Sequence, residues 1–212
     1  MAKITPFEEH SDQYESWFSD HHAAYESELS AVKELLPPSG SGVEIGVGSG
    51  RFAAPLGIQH GVEPSEQMRR IAEQRGIATI AGVAEQLPYQ NENFDFALMV
   101  TTLCFLDDVT QSFREVRRIL TPGGAFLIGF IARESPLGQL YERYKEQNVF
   151  YRVATFYSVE EGVSDLRNTG FTDFKFTQTI FRPLEEITAP EPVKPGYGDG
   201  SFVVIRAMKP QE

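Results

Sequence analysis

Cysteine and histidine are scarce in this sequence. Its 212 residues include one cysteine, Cys104, and four histidines. A lone cysteine cannot form a disulfide within the chain, so we expect a reducing compartment such as the cytoplasm. The histidines show no ligand spacing such as HxxxH, and we therefore expect no metal site.

Positive charge and long apolar runs are also limited. The chain has 19 Lys+Arg against 30 Asp+Glu, which gives a net charge of −11. Sequence-independent binding to nucleic acid or to anionic lipid needs clustered cations, so this balance argues against both. The longest apolar stretch, "FALMVTTLCFL", is far too short to span a membrane, and the acidic N-terminus is unlike a signal peptide. We expect a soluble, cytoplasmic protein without nucleic-acid or membrane partners.

Apolar strands alternate with helical segments through the middle of the chain. Strands that are apolar throughout indicate a parallel sheet covered by helices on both faces, an α/β fold. Amphipathic periodicity predicts helices between the strands, one of them capped by Ser65, and the short segment "RFAAPLG" is predicted as a further helix. The five predicted strands are "GVEIGV", "IQHGVE", "IATIA", "FDFALMVT" and "AFLIGFI".

The two ends of the chain follow other patterns. Ser11 is predicted to cap a short N-terminal helix, and a second helix runs from about Asp20 to the Pro37-Pro38 pair. Near the C-terminus, Ser158 and Glu161 have the spacing of a capping box. Two strand-like runs, "FTDFKFTQTI" and "SFVVIRAM", follow without a helix between them and are predicted to be antiparallel.

The stretch "VEIGVGSG" places three glycines, Gly46, Gly48 and Gly50, between the first strand and the following segment. In such sheets this point lies at the edge where ligands bind, and glycine allows close backbone approach. A dinucleotide fingerprint would have its third glycine where Arg51 stands, and no phosphate-binding GxxxxGK[ST] pattern occurs. Glu63, at the end of the second strand, is placed to accept hydrogen bonds from both hydroxyls of a ribose. The sequence therefore predicts a nucleoside-containing ligand, although a simple glycine turn remains an alternative.

Four segments resemble, in order and spacing, the class I S-adenosylmethionine-dependent methyltransferases: "VEIGVGSG", "GVEPSEQM", "AGVAEQLPYQNENFDFALMVTTLCFLDD" and "RRILTPGG". The resemblance covers roughly residues 40–131 and is strongest to the bacterial small-molecule group that includes ubiquinone- and menaquinone-biosynthesis enzymes. It implies a three-layer Rossmann-like fold with seven strands in the order 3-2-1-4-5-7-6, the last antiparallel. It also implies one methyltransferase domain over residues 1–212, with an N-terminal helical cap (1–38) and a lid insertion (132–157) after the fifth strand.

The resemblance further implies S-adenosylmethionine as cofactor, with S-adenosylhomocysteine as product. One departure from the family pattern is Val83, where many relatives have an aspartate that accepts from the adenine amino group. The residues expected to bind the cofactor are Glu44, Gly46, Val47, Gly48, Gly50, Arg51, Phe52, Glu63, Pro64, Ser65, Met68, Val83, Ala84, Glu85, Thr101, Thr102 and Leu103.

No catalytic residue can be assigned from the sequence. Methyl transfer from a sulfonium mainly requires alignment and exclusion of water, so a general base is needed only for a protonated nucleophile. For His21 and His22 a surface or capping role is expected to compete with catalysis, and Cys104 is expected to be a packing residue. Residues of the cap, the lid and "KPGYGDGS" that are candidates for substrate contact, with ordinary packing as the alternative, are Tyr14, Trp17, Phe18, His21, Tyr141, Tyr144 and Tyr197.

The favoured function is methyl transfer to a small molecule at nitrogen, oxygen or sulfur, with an amine among the acceptors considered. Aromatic rings and acidic charge would both suit a cationic acceptor. The sequence "TTLC" after the fourth strand lacks the Asn/Asp-Pro-Pro-aromatic motif of enzymes that methylate exocyclic amines of bases. The alternatives are a non-catalytic S-adenosylmethionine-binding sensor or regulatory protein and, less favoured, a dinucleotide-dependent oxidoreductase.

Overall fold

A mixed sheet forms the centre of the fold, in a computed structural model that describes residues 3–211. Within those residues the sheet has eight strands, in the spatial order β3-β2-β1-β4-β5-β8-β6-β7. The first five strands are parallel, and β8 runs antiparallel to both β5 and β6. The strands are β1 (Gly42–Ile45), β2 (His60–Val62), β3 (Ala78–Ile80), β4 (Phe94–Val100), β5 (Leu120–Ile131), β6 (Thr172–Thr179), β7 (Lys194–Pro195) and β8 (Phe202–Met208).

The predicted strand order is confirmed, with one strand added at the edge. Without β7, the observed order is the expected 3-2-1-4-5-7-6, and the last strand is antiparallel to its neighbours. The extra strand β7 has two residues and pairs with Thr177 and Gln178 of β6. So short a strand has no periodicity to detect in sequence, and Pro195 is tolerated there because an edge strand needs fewer backbone donors.

Helices cover both faces of the sheet. One face packs on α5 and α7 through Phe113, Val116 and Leu166, and the other packs on α2 and α3 through Phe18 and Val32. Successive residues of the central strands alternate between the two cores, as the pleat of a β-strand requires. The helices are α1 (Thr5–Glu9), α2 (Ser11–Asp20), α3 (His22–Leu35), α4 (Glu66–Gln74), α5 (Val109–Ile119), α6 (Pro136–Tyr144) and α7 (Val159–Asn168).

The prediction of a helix for "RFAAPLG", residues 51–57, is wrong. The segment forms consecutive turns, and Gly57 has a φ of +73° that ends any helical path. Pro55 has no N–H, so it cannot donate to the carbonyl of Arg51 as a helix would require. The hydroxyl of Tyr25, on α3, donates to that carbonyl instead. A tertiary contact therefore satisfies the backbone acceptor that proline leaves open.

Local capping signals are confirmed at two of three helices. Ser65 precedes α4 and accepts a hydrogen bond from the Met68 amide at 3.2 Å. Ser158 and Glu161 form the reciprocal capping box of α7, at 3.0 and 2.8 Å. The prediction for Ser11 is wrong, because it is the first residue of α2 and its side chain caps nothing; His10 occupies the cap position.

The segments predicted as cap (1–38) and lid (132–157) lie before β1 and after β5 in the chain. Helices α1 to α3 precede β1, and residues 132–157 fold as α6 followed by two short 3-10 helices at Lys145–Gln147 and Tyr151–Val153. Within residues 3–211 no helix is long and apolar enough to cross a membrane.

Candidate functional site

The glycine loop lies at the carboxyl end of β1, against the end of β4. Gly46 and Gly48 have φ values of +68° and +52°, a region that favours glycine. A Cβ on Gly46 would lie 2.4 Å from Thr102 Cγ2, so the close approach of these two backbone segments requires glycine at this position. At Gly48 the nearest atom to such a Cβ would be the Tyr14 hydroxyl oxygen, at 3.3 Å. The loop therefore exposes backbone to the crevice and lies beneath α2.

Glu63 follows β2 and faces the same loop. Its two carboxylate oxygens accept hydrogen bonds from the backbone amides of Gly48 (3.0 Å) and Ser65 (2.8 Å). The residue is buried, and desolvation raises the pKa of its carboxyl above the ordinary value, while the two amides oppose that shift. A carboxylate so held has a fixed orientation and retains lone pairs for further donors.

Glu44, in β1, is a second buried acid behind the loop. Its Oε2 atom has no hydrogen-bond partner among the described residues. Desolvation raises the pKa of its carboxyl well above the usual range; the amide of Ala53 opposes this and the charge of Glu63 adds to it. A buried acceptor without a donor is costly unless something else supplies one.

A cavity of about 110 Å³, here called the glycine-loop cavity, opens at these residues. Its walls include the end of β2, the turn at 82–85 and the end of β4, and Phe7 and Tyr14 cover it from the N-terminal helices. Predicted cofactor residues that line it are Gly46, Gly48, Glu63, Pro64, Val83, Ala84, Glu85, Thr101 and Thr102.

A larger cavity of about 390 Å³, the aromatic cavity, adjoins the first. The two cavities share Phe7, Tyr14, Thr101 and Phe105 in their walls. More than half of the residues around the larger cavity are aromatic, and none is lysine or arginine. Predicted residues that line it are Tyr14, Trp17, Phe18, His21, Phe52, Thr101, Leu103 and Tyr141.

Thr101 stands where the two cavities meet, directly after β4. Its φ of +51° is unusual for a β-branched residue, and its amide donates to the Gly129 carbonyl at 2.7 Å. Such left-handed residues cost free energy and are concentrated at functional sites.

Charged residues hold the N-terminal helices over the glycine loop. Glu15 of α2 forms ion pairs with Arg51 (2.6 Å) and Arg75 (2.5 Å). Arg51 also lies over the ring of Phe18, 5.1 Å from its centroid. The Ser65 hydroxyl and backbone amides at the start of α4 lower the pKa of the Glu8 carboxyl of α1, although burial opposes them.

Burial changes the chemistry of several groups around the aromatic cavity. Desolvation raises the pKa of the Cys104 thiol to about 12, so this cysteine stays protonated at neutral pH. Desolvation also raises the pKa values of Tyr141 and Tyr151, whose rings lie 4.5 Å apart. Among acids, Glu28 of α3 lines the cavity with 3% exposure, and desolvation raises its pKa to about 8.

Six predicted cofactor residues line neither cavity. Arg51 pairs with Glu15, Ser65 caps α4, and Met68 is fully buried. These residues support the loop, and a direct contact with the cofactor remains a prediction for them. The six are Glu44, Val47, Gly50, Arg51, Ser65 and Met68.

Two predicted substrate residues lie away from the cavities. Tyr144 and Tyr197 are 47% and 43% exposed, and neither lines a cavity wall described above. The ring of Tyr197 packs on Phe176 of β6 at 4.9 Å. His22 is on the surface beside Glu26, whereas His21 lines the aromatic cavity.

The turn with the unusual Val83 is held by its own contacts. Val83 bridges to Gln86, and the Glu85 carboxylate accepts from the amides of Asp107 and Asp108 at 2.9 and 3.2 Å. Glu85 thereby fixes the loop after β4 to the rim of the glycine-loop cavity.

Sequence reasoning missed several residues of the aromatic cavity. Phe7, Phe105 and Phe150 meet there, with ring centroids 5.1 and 5.3 Å from Phe7. They come from three distant segments, and no local pattern joins them. Glu28 did carry a signal, since it follows Tyr25 by three residues and precedes Val32 by four on the apolar face of α3.

Within residues 3–211 no group of His, Cys, Asp and Glu side chains is arranged to hold a metal ion.

Comparison with known proteins agrees with this geometry. A family model described as "Methyltransferase domain" matches residues 43–128. The crystal structure of a SAM-dependent methyltransferase, possible histamine N-methyltransferase, from Thermotoga maritima is 53% identical, with a TM-score of 0.95 over 97% of this chain and 99% of that chain. An uncharacterised protein of Methanocaldococcus jannaschii is 43% identical over 96% of this chain and 98% of its own length.

A more distant relative supports the likeness to quinone-pathway enzymes. Demethylmenaquinone methyltransferase of Roseiflexus castenholzii is 35% identical over 114 residues, 48% of each chain. The glycine loop, the acid after β2, the strand order and these similarities all agree. The chain belongs to the class I S-adenosylmethionine-dependent methyltransferases.

Proposed function

We propose that this enzyme transfers the methyl group of S-adenosylmethionine to a small-molecule nucleophile bound in the aromatic cavity. The observation that carries the proposal is the contact between the two cavities at Thr101 and Tyr14. A cofactor held at the glycine loop and an acceptor held among the aromatic rings would meet at these residues.

The residues at the glycine loop suit S-adenosylmethionine. Gly46 and Gly48 leave the backbone open where any other residue would place a Cβ. Glu63 would accept from the ribose hydroxyls, because its orientation is fixed by the Gly48 and Ser65 amides. Glu44 would serve the methionine end, where its unpaired oxygen can accept from an amine.

The protein's contribution to catalysis would be alignment and the exclusion of water. When bound, S-adenosylmethionine supplies a methyl group activated by its sulfonium charge. The Thr101 backbone and the Tyr14 ring would position the acceptor, and the rings of Phe7, Phe105 and Phe150 would keep water out.

A nitrogen acceptor is favoured over oxygen or sulfur. The wall of the aromatic cavity carries the acids Asp20 and Glu28 and no lysine or arginine, which suits a basic acceptor better than an acidic one. The Thermotoga maritima relative bears the name of a possible histamine N-methyltransferase. We also propose a cytoplasmic location and no nucleic-acid substrate, on the acidic charge and the lone cysteine.

The non-catalytic alternative receives no support. A sensor that had lost the chemistry would be expected to have a collapsed acceptor site, whereas the aromatic cavity is open and larger than the glycine-loop cavity. Its wall is more aromatic than polar, which suits an apolar acceptor with one charged end.

Calorimetric titration tests the cofactor part of the proposal. S-adenosylmethionine and S-adenosylhomocysteine should bind, NAD should not, and Glu63→Ala should weaken both interactions. Transfer of a radiolabelled methyl group from S-adenosylmethionine to a panel of amines, alcohols and thiols tests the acceptor. Absence of transfer to any small molecule, with cofactor binding intact, would contradict the proposed function.

A further inference from the structure

Glu28 stands out among the buried acids of this protein. We propose, building on the proposed function, that Glu28 is the specificity-determining residue that selects a small organic amine in its cationic form for the aromatic cavity. The carboxylate of Glu28 would pair with the ammonium group, and the surrounding rings would enclose the rest of the molecule. An ammonium has no lone pair, so the paired group would anchor the molecule and a separate, unprotonated atom would accept the methyl group.

The position of Glu28 is that of a core residue. It lies on α3 on the same face as Tyr25 and Val32, and only 3% of it is exposed. It lines the aromatic cavity, and its carboxyl has no hydrogen bond or ion pair within residues 3–211. An acid at such a position costs stability when ionised, so its presence there calls for a partner.

Other buried glutamates of the chain have partners inside the protein. Glu63 accepts from two backbone amides, and Glu191 accepts from Arg182 Nε (2.7 Å) and from the Phe181 amide. Glu44 is assisted by the Ala53 amide. Glu28 lines the aromatic cavity, and it differs from all three because its pKa is affected only by desolvation.

The surroundings of Glu28 define the charge of the missing partner. A cation would have to come from a ligand, since no lysine or arginine among residues 3–211 lines the cavity. Rings of Tyr141 and Tyr151 lie within electrostatic range of Glu28, and aromatic faces attract cations. A neutral alcohol or thiol would leave the carboxyl protonated and gain no ion pair, and an anion would be repelled by the ionised form.

Desolvation raises the pKa of Glu28 to about 8 when no cation is bound. A cationic ligand would stabilise the ionised form and lower that value, as an opposite charge at short range does. The geometry and the titration behaviour therefore point to the same class of ligand.

The test uses benzylamine and its neutral counterpart benzyl alcohol as probes. Trp17 is the single tryptophan of the chain and lines the aromatic cavity, so its fluorescence reports binding directly. Both probes are titrated at neutral pH into the wild type, Glu28→Gln and Glu34→Gln, with and without S-adenosylhomocysteine. Glu34 is an exposed acid on the same helix, so its substitution removes the same charge outside the cavity.

Wild type and Glu34→Gln should bind benzylamine at least about tenfold more tightly than benzyl alcohol, and Glu28→Gln should lose that preference. Equal or undetectable binding of the two probes to the wild type would overturn the proposal, as would a preference that survives in Glu28→Gln. Thermal unfolding and S-adenosylhomocysteine binding show that the variants are folded. Failure of the proposed function would show separately, as absence of methyl transfer in the wild type whatever the probe preference.

Discussion

Thr102 lies directly against Gly46 at the centre of the glycine loop. The threonine hydroxyl donates to the Gly46 carbonyl at 3.2 Å, and its methyl carbon would lie 2.4 Å from a Cβ at that glycine. The end of β4 is thereby joined to the end of β1, at the edge where the cofactor is proposed to bind. Any side chain at Gly46 would have to separate the two strands' ends.

Gly46→Ala should destabilise the protein by about 1–3 kcal/mol, because it combines a left-handed φ with a steric overlap. S-adenosylhomocysteine binding should weaken at least about tenfold, since the loop and Thr102 would move apart. Urea unfolding and calorimetry measure the two effects. Gly57→Ala is the matched control, because Gly57 has a φ of +73° but no atom within 4 Å of its Cβ position. Gly57→Ala should lower the free energy of unfolding by about 1 kcal/mol and bind the cofactor normally. Equal binding defects in both variants would contradict the proposal that the cofactor binds at the loop containing Gly46.

Glu63→Gln should weaken S-adenosylmethionine binding by about tenfold or more. The amide keeps one acceptor oxygen and places a donor opposite a backbone N–H of Gly48 or Ser65, so the side chain would rotate away from the ribose. Calorimetry compares it with Glu66→Gln, an exposed acid three residues along the chain that should bind normally. If Glu63→Gln binds as tightly as wild type, Glu63 has only a structural role in the loop.

The parts of the fold that follow local patterns were predictable from sequence. Ser65 and the Ser158–Glu161 box are read from neighbouring residues, and the sheet order follows from the family resemblance. At 51–57 the sequence does contain the residues that prevent a helix, Pro55 and Gly57, but the Tyr25 hydroxyl that satisfies the free Arg51 carbonyl comes from a distant helix. Apolar periodicity alone carries no information about such a tertiary contact.

Residues around the glycine-loop cavity were largely predictable from sequence, and residues around the aromatic cavity were predictable in part. Gly46 and Gly48 lie in one motif and Glu63 in the next, and the ends of β1 and β2 bring the two motifs together at one cavity. The aromatic cavity is assembled from Phe7, Phe105 and Phe150, which are brought together only by the docking of α1 and of the segment after β5. Aromatic residues at these positions look like ordinary core residues until the cavity is seen.

Glu15→Gln should loosen the N-terminal helices from the glycine loop. Glu15 pairs with both Arg51 and Arg75, and its partners are only about a quarter exposed. Burial alone would raise the pKa of Glu15, but hydrogen bonds from Arg75 and Arg51 hold it below the ordinary value. Its stabilising contribution is therefore present above the unfolded-state pKa and is lost as the pH falls through the lower folded-state value.

The expected loss for Glu15→Gln is about 1–3 kcal/mol at neutral pH, measured by urea unfolding. Hydrogen exchange in α1 and α2 should also become faster. Arg70→Gln breaks the exposed Arg70–Glu66 pair and should change stability by no more than about 0.5 kcal/mol. Equal losses for the two variants would mean that the Glu15 network contributes no more than a surface ion pair.

Glu28 should make the stability of the ligand-free protein fall as the pH rises. Its pKa is about 8 in the folded protein against an ordinary value of 4.5, so between these values the native state binds more protons than the unfolded state. The protonated carboxyl contributes its full amount to the free energy of unfolding below pH 4.5, and this contribution is lost as the pH rises through about 8. At about 1.4 kcal/mol per pH unit the full effect is at most about 5 kcal/mol.

Glu28→Gln isolates this effect, because other titratable groups around the cavity, including Asp20, His21 and Tyr141, are the same in both proteins. The free energy of unfolding of Glu28→Gln minus that of wild type should increase from pH 5 to pH 8 and stay constant above that. Urea unfolding at several pH values in that range measures it. Saturating benzylamine should reduce the slope, since a bound cation lowers the pKa of Glu28 and stabilises the ionised form. A difference that does not change with pH would mean that Glu28 is already ionised in the ligand-free protein, with a counter-charge near its carboxylate.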